Sequence, residues 1–474
     1  MSERTPKKRP AAAASSPCGD ERRAIPQVER VLAACARMHP EVPARLMLPA
    51  IRAAVAQMRA GTRKPCGPER LVEVLWGEAP PVPAMMPVIN ATGVLLHTNL
   101  GRAPIGPGLA HRLLERVQGY CSLEYDVLQG ARGSRTAAVE ARLQALFGVE
   151  GALAVNNNAA AMLLVVAGLA RGGEVIVSRG ELVQIGGGFR VPDVLLEGGA
   201  RLREVGTTNQ TTVADYAAAM GPDTCMLLKV HASNFRQLGF VADASLTELA
   251  VLKKKYGIPL VHDLGSGAVA DTRRWGFAAE PTVAASLAAG TDLVAFSGDK
   301  LFGGAQAGLI VGKAELIDRL RRHPLVRAMR LGKLEIALLE LTLDAHLEHR
   351  ADTDLGLTQL VHATAASLAQ RCDRIIARLH GWQAVRCPVQ SALGGGSLPG
   401  AERDDPGLAV LAKNPDAVAL ALRAQPRPVI VRVVDGKVVV NLRTVRPDED
   451  ELLIAAFAGA RRIGAEQADK GEES

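Results

Sequence analysis

The hydrophobic pattern changes character at a Pro-rich linker, Gly77–Pro87. Before it, apolar residues recur at helical spacing over Val28–Met38, Val42–Ala60 and Pro68–Trp76, punctuated by Pro40, Pro43 and Pro65. After it, short unbroken apolar runs alternate with amphipathic stretches. Examples of the runs are Gly151–Val155, Glu174–Ser178, Met226–Val230, Leu260–His262, Leu293–Phe296 and Leu309–Val311. Runs of this kind between helices indicate a mostly parallel sheet with helices on both faces. Leu334–Leu347 reads as a long connecting helix. A smaller α/β pattern follows. It includes a hairpin, Val429–Val434 and Lys437–Leu442, around the favoured two-residue turn Asp435-Gly436. Residues 1–24 have the composition of a disordered extension, and residues 464–474 read as a polar tail.

Charge sharpens this division. The net charge of +7 is not spread along the chain: residues 1–70 hold 14 Lys/Arg against 6 Asp/Glu, and the remaining 404 hold 42 against 43. A cationic module precedes a near-neutral body, which excludes a uniformly basic, histone-like protein. Within the module, Arg45, Arg52, Arg59, Arg63 and Lys64 suit a phosphate-binding surface; they suit a solvated helix face equally well. Aromatic residues are only 3%, too few for binding by stacking on single-stranded bases.

Seven cysteines with no C-x-x-C pair argue against a disulfide framework or a zinc site. They read as small buried hydrophobes. The N-terminus has charge but no apolar core of signal-peptide length. The most apolar run, Ala159–Ala170, falls well short of the ~20 residues of a membrane span. A soluble cytoplasmic protein is expected, with no membrane partner.

Three short segments carry candidate chemistry. In Phe296-Ser297-Gly298-Asp299-Lys300-Leu301-Phe302-Gly303-Gly304, a lysine follows an apolar strand end and precedes a Gly-rich turn. That suits a desolvated amine bound to pyridoxal phosphate, with Ser297 donating to the phosphate and glycines such as Gly304 allowing close backbone approach. Lysine is also an ordinary surface residue. Asp263, at the end of Leu260–His262, suits the carboxylate that keeps a pyridine nitrogen protonated; a helix cap is the plain alternative. Asn156, Asn157 and Asn158, between a strand and an apolar helix, suit a phosphate cup at a helix N-terminus or a simple Asn cap. Their order along the chain is the one a single pyridoxal-phosphate site requires.

Further segments extend the pattern. They are Val88–Val94 running to Thr98–Pro104, Leu123–Asp126 with Arg132–Arg135, and Ser178–Val183 with Gly186–Arg190. Glu204–Asn209, His231–Phe235, His323–Leu325 through Arg327, Arg330 and Lys333, and Gly394–Gly400 follow. In this set the chain resembles the bacterial L-seryl-tRNA(Sec) selenium transferases, or selenocysteine synthases, from about residue 25 to about residue 465.

The resemblance implies an α/β fold of the pyridoxal-phosphate-dependent transferase kind (aspartate-aminotransferase type, fold type I). It adds a small helical N-terminal domain and a smaller C-terminal α/β domain. The expected boundaries are 25–80 for the basic tRNA-binding domain, 81–333 for the catalytic domain and 334–463 for the linker helix and small domain. Carried over, Lys300 binds the cofactor covalently and Asp263 meets its ring nitrogen. Arg102, Arg327 and Arg330 line the active site and suit selenophosphate, a small polyanion. Arg327 and Arg330 would share a helix face.

The implied reaction eliminates the hydroxyl of serine esterified to tRNA(Sec), giving an aminoacrylate, and then adds selenium from selenophosphate. The implied assembly is a homodecamer, a pentamer of dimers; no DNA partner is expected. Two other readings stay open: a related lyase acting on a small amino acid or sugar acid, and a tRNA-binding protein without catalysis. Ser178, Arg179 and Gln184 could pack on the cofactor ring or form a turn. His231 and His262 could touch the cofactor or be structural.

Overall fold

Helical spacing in the first segment is realised as three helices, α1 (Val28–Met38), α2 (Leu48–Arg59) and α3 (Pro68–Glu78). Val31, Ala34 and Cys35, Ile51, Val55 and Met58, and Leu71, Val72 and Leu75 share one core. The single helix expected over Val42–Ala60 starts later. Ala44–Met47 is a tight 3-10 turn, and α2 begins at Leu48 with Pro49 in its first turn, where a missing N–H breaks no helical bond. The computed structural model describes residues 24–78, 85–185 and 188–471, and it divides into two units at Pro87. The expected extension therefore lies outside the described residues except for Ala24, as do most of the linker and Gly186.

The second unit is built on a seven-stranded sheet. Its strands are β1 (Gly151–Val155), β2 (Glu174–Ser178), β3 (Arg201–Val205), β4 (Thr224–Val230), β5 (Leu260–Gly265), β6 (Leu293–Ser297) and β7 (Gly308–Gly312). The spatial order is β1-β7-β6-β5-β4-β2-β3. β7 runs antiparallel to both neighbours, and all other pairings are parallel. Alternate residues feed two cores. Leu153, Val155, Leu293 and Ala295 pack with Val165 and Val166 of α4 (Asn158–Leu169). Ala152, Ala154, Val294 and Phe296 pack with Ile336, Leu339 and Leu343 of α5 (Lys333–Leu347). Burial on both faces is why these strands read as unbroken apolar runs.

After α5 come α6 (Ala365–Arg378), β8 (Gln383–Ala392), β9 (Glu402–Leu411), β10 (Arg432–Val434), β11 (Lys437–Val440) and α7 (Asp450–Gly471). The four strands form an antiparallel sheet, β8-β9-β11-β10. The β10–β11 turn has Asp435 at φ 48° and Gly436 at φ 69°, the left-handed pair that a two-residue hairpin needs. α7 continues past Gly464, where a polar tail was expected, because Ala465-Glu466-Gln467-Ala468 are good helix formers. Among the cysteines, Cys35 and Cys372 are buried as expected, but Cys121 is exposed. Among the described residues, no helix is long and apolar enough to cross a membrane.

Candidate active site

The site forms where the parallel strands β4, β5 and β6 end beside the first turn of α4. β6 stops at Ser297, and Gly298 follows because a Cβ there would lie 2.4 Å from the Ala305 carbonyl oxygen. The turn then turns Lys300 inward. Its backbone carbonyl accepts from Gly303 N–H at 2.9 Å, and Leu301 N–H donates to the Ser266 carbonyl at 3.0 Å. Lys300 is buried. Burial, reinforced by the Arg102 charge, holds its ammonium below the ordinary lysine range, against Asp263, Asp299 and Glu280.

Asp263 is buried on β5, where the pairing with β6 shifts register between Asp263 and Gly265. Such a bulge re-aims the strand end. Asn158 Nδ2 donates to Asp263 Oδ1 at 2.8 Å. Burial pushes the Asp263 carboxyl up, opposed by the Asn158 hydrogen bond and by the charges of Lys300 and His231. Gly265 has φ +66°, and a Cβ there would sit 3.9 Å from both Asp263 Oδ1 and Lys300 Nζ.

Asp263, Lys300, Asn157, Asn158, Ser297 and Arg102 line one cavity of about 220 Å³. Asn157 caps α4, its side chain accepting from Ala160 N–H. Asn156 lines a neighbouring cavity instead, with its N–H on the Met329 carbonyl. Gly304 does not line the Lys300 cavity; it packs on α5, where a Cβ would meet Thr342 Oγ1 at 3.1 Å.

Arg102 stands at φ +61°, and its Nη1 lies 2.9 and 3.1 Å from the two carboxylate oxygens of Asp299. Arg327 and Arg330 are exposed and outside this cavity. They do not share a helix face as expected. The helix Leu325–Ala328 is a single turn that ends before Arg330, because Met329 turns into the core. Arg330 Nη1 lies 3.7 Å from Glu124 Oε1.

The remaining candidates have structural partners. Ser178 Oγ is 2.7 Å from Thr211 Oγ1, Arg179 Nε donates to Glu204, and Gln184 Oε1 accepts from Arg190. His262 Nδ1 is 3.0 Å from Ser286 Oγ, and burial lowers its pKa to about 3, so the ring is neutral. His231 differs: it lines the Lys300 cavity, and its Nε2 is 3.0 Å from Glu280 Oε1.

Two spatial relations around Lys300 were not read from the sequence, although the residues themselves were. Gly394, Gly395 and Gly396 all have positive φ, and a Cβ on Gly396 would lie 3.4 Å from Lys300 Nζ and 3.7 Å from Ser233 Oγ. Three consecutive glycines were the visible signal of close approach. The Arg102–Asp299 pair joins residues 197 positions apart and left no local signal.

In the basic unit, Arg45, Arg52, Arg59 and Lys64 are exposed. The three arginines recur every seven residues. Arg63 Nη2 donates to Glu78, 2.8 Å from each carboxylate oxygen.

The buried Lys300 amine, the Asp263 carboxylate and the free N–H groups opening α4 are the donor set that a pyridine aldehyde bearing a phosphate requires, and the space beside Gly265 is one a Cβ would narrow. Topology and site together place the chain in the aspartate-aminotransferase class of folds, fold type I, the class of pyridoxal-phosphate-dependent enzymes. Residues 88–446 match the SelA family model, L-seryl-tRNA selenium transferase. The chain belongs to that family. It is 44% identical to an L-seryl-tRNA(Sec) selenium transferase of Moorella thermoacetica over 80% of this chain and 82% of that protein. The enzyme of the same name from Geobacter sulfurreducens is 40% identical over 91% of this chain and 98% of its own length. A solved D-glucosaminate-6-phosphate ammonia-lyase shares the fold, with TM-score 0.56 and 21% identity over 80% of this chain and 96% of its own.

Proposed function

We propose that the protein converts L-seryl-tRNA(Sec) to L-selenocysteinyl-tRNA(Sec), with pyridoxal phosphate as cofactor and selenophosphate as selenium donor. The observation that carries this reading is the buried Lys300 sharing one cavity with the Asn158-held Asp263, in a chain of this family. When bound, pyridoxal phosphate supplies an electron sink that lets a proton leave Cα and a hydroxyl leave Cβ of an amino acid.

The chain's own residues divide the remaining work. Asp263, fixed by Asn158, is the partner for the ring nitrogen. Ser297 and the N–H groups opening α4 hold the phosphate. The Lys300 amine, desolvated and held below its ordinary range, takes the Cα proton. Arg102, oriented by Asp299, meets the selenophosphate, and Arg327 and Arg330, exposed outside the Lys300 cavity, attract the anion from a distance. Arg45, Arg52, Arg59 and Lys64 grip the tRNA backbone. The assembly extends to a ring of ten subunits, a pentamer of dimers.

The test compares seryl-tRNA(Sec), seryl-tRNA(Ser) and free serine, each with selenophosphate and the purified protein. Selenium transfer to seryl-tRNA(Sec) alone supports the reading. Equal turnover of free serine would point instead to a small-molecule lyase.

A further inference from the structure

A second cavity of about 610 Å³ adjoins the lysine site and shares Val230 and His231 with it. Its far wall is the chain that reaches Lys300 at Gly396 and continues through Leu398 and Pro399. The two spaces therefore meet at Val230 and His231. This volume lies within the range that encloses a small organic ligand.

The charges of the cavity select the class of ligand. Glu181, Asp243 and Glu280 line it against Lys229 and Arg236. Lys229 is not available to an anion: its ammonium is 2.7 Å from Glu181, 3.0 Å from the Ala244 carbonyl and paired with Asp243. Such a wall disfavours a polyanion and suits an uncharged group. Phe235 offers an aromatic face anchored on the main core, and Thr208, Asn209 and Gln237 surround it with amide and hydroxyl groups. His231 stands at the junction. Its Nε2 lies 3.0 Å from Glu280 Oε1, on a side chain that is 1% exposed.

We infer that this cavity seats the 3′-terminal nucleoside of the acylated tRNA, with its base against Phe235 and its ribose at His231. The inference rests on the function proposed above. A serine esterified to a ribose hydroxyl cannot approach Lys300 unless that nucleoside lies in a space contiguous with the lysine site. Two further cavities share residues with the site. The one at Arg102, about 160 Å³, is too small, and the one of about 440 Å³ that shares Asn157 and Ala159 lies along the N-terminal turn of α4, on the side assigned to the cofactor phosphate.

The experiment uses the full-length holoenzyme and a non-hydrolysable probe, adenosine carrying L-serine through a 3′-amide. Binding is read by saturation-transfer NMR and by the probe's perturbation of the cofactor absorbance. Phe235→Ala is expected to weaken the probe's Kd about tenfold or more, the range of a lost base stack, with the cofactor absorbance of the free enzyme unchanged. Asp193→Ala, in the 440 Å³ cavity, is expected to leave the Kd as it is. Phe235→Trp keeps an aromatic face, so its indole fluorescence should respond to the probe even if the alanine variant folds poorly. An unchanged Kd in Phe235→Ala, a weakening confined to Asp193→Ala, or an indole signal in Phe235→Trp that ignores the probe would overturn the inference. If the enzyme turns over seryl-tRNA(Sec) yet binds no probe, this inference fails alone; if it turns over no seryl-tRNA, the proposed function fails first.

Discussion

Asn158 Nδ2 donates to Asp263 Oδ1 at 2.8 Å, joining the first turn of α4 to β5 across 105 residues. Removing the amide in Asn158→Ala leaves Asp263 buried with less support for its charged form. The cofactor's absorbance should then titrate at a different pH from the parent, and kcat should fall on the order of tenfold or more, while Lys300→Ala should abolish both turnover and the lysine-bound absorbance. Spectrophotometric pH titration of the two variants checks this. Identical titration curves for Asn158→Ala and the parent would show that the hydrogen bond does not tune Asp263.

Burial raises the folded-state pKa of Asp263 above its unfolded value. In the cofactor-free protein this group therefore favours folding at low pH. The contribution is lost as pH rises from the unfolded value, about 3.9, through the raised one. Asp263→Asn should make the cofactor-free protein melt at a higher temperature near pH 7, and the gap over the parent should narrow toward pH 4. Thermal melts of both proteins across that range test the sign.

Gly396 has φ +79° and faces Lys300 Nζ, so Gly396→Ala adds a methyl at 3.4 Å to the amine and strains the backbone. Cofactor affinity should drop several-fold or more, as read by equilibrium titration of the cofactor-free protein. Gly400→Ala, also at positive φ but with open space around it, serves as the control for backbone strain alone.

Charge removal from the basic unit should distinguish its arginines. Arg45→Gln, Arg52→Gln and Arg59→Gln combined should weaken tRNA binding and flatten its salt dependence, by roughly 0.7–0.9 in log–log slope for each phosphate no longer neutralised. Arg63→Gln should change the slope less, because its guanidinium is already paired with Glu78. Filter binding across a salt series measures both. An unchanged slope in the triple variant would remove the tRNA role from this surface.

At the donor side, Arg330→Ala and Arg102→Ala should each raise the selenophosphate requirement while the cofactor absorbance stays intact. Arg102→Ala should have the larger effect, since only Arg102 lines the Lys300 cavity and it is held there by Asp299. Saturation curves in selenophosphate at fixed seryl-tRNA check the order.

Much of this architecture was legible locally. Gly151–Val155, Glu174–Ser178 and Leu293–Phe296 could be read as strands because burial on both faces demands unbroken apolar runs. β3, Arg201–Val205, went unread because it lies at the sheet edge with most of its residues exposed, so its polar sequence carries no strand period. The reversed direction of β7 was equally silent, since an apolar run reads the same in either direction. Lys300, Asp263 and the asparagines stood out by their places at strand and helix ends, and Ser297 by its spacing from Lys300.

By itself, then, the sequence determined most of the elements, the separation of a cationic module from a near-neutral body, and the residue types able to hold a pyridine aldehyde. Those properties depend on local periodicity and composition. Only the tertiary structure decided that Asn158 serves Asp263, that Asp299 holds Arg102, that Gly396 closes on Lys300 and that Glu280 lies beside His231. Each of these joins segments dozens to hundreds of residues apart. Such pairings arise from how the strands are ordered in the sheet and from where the C-terminal loop returns, and neither leaves a periodic trace along the chain.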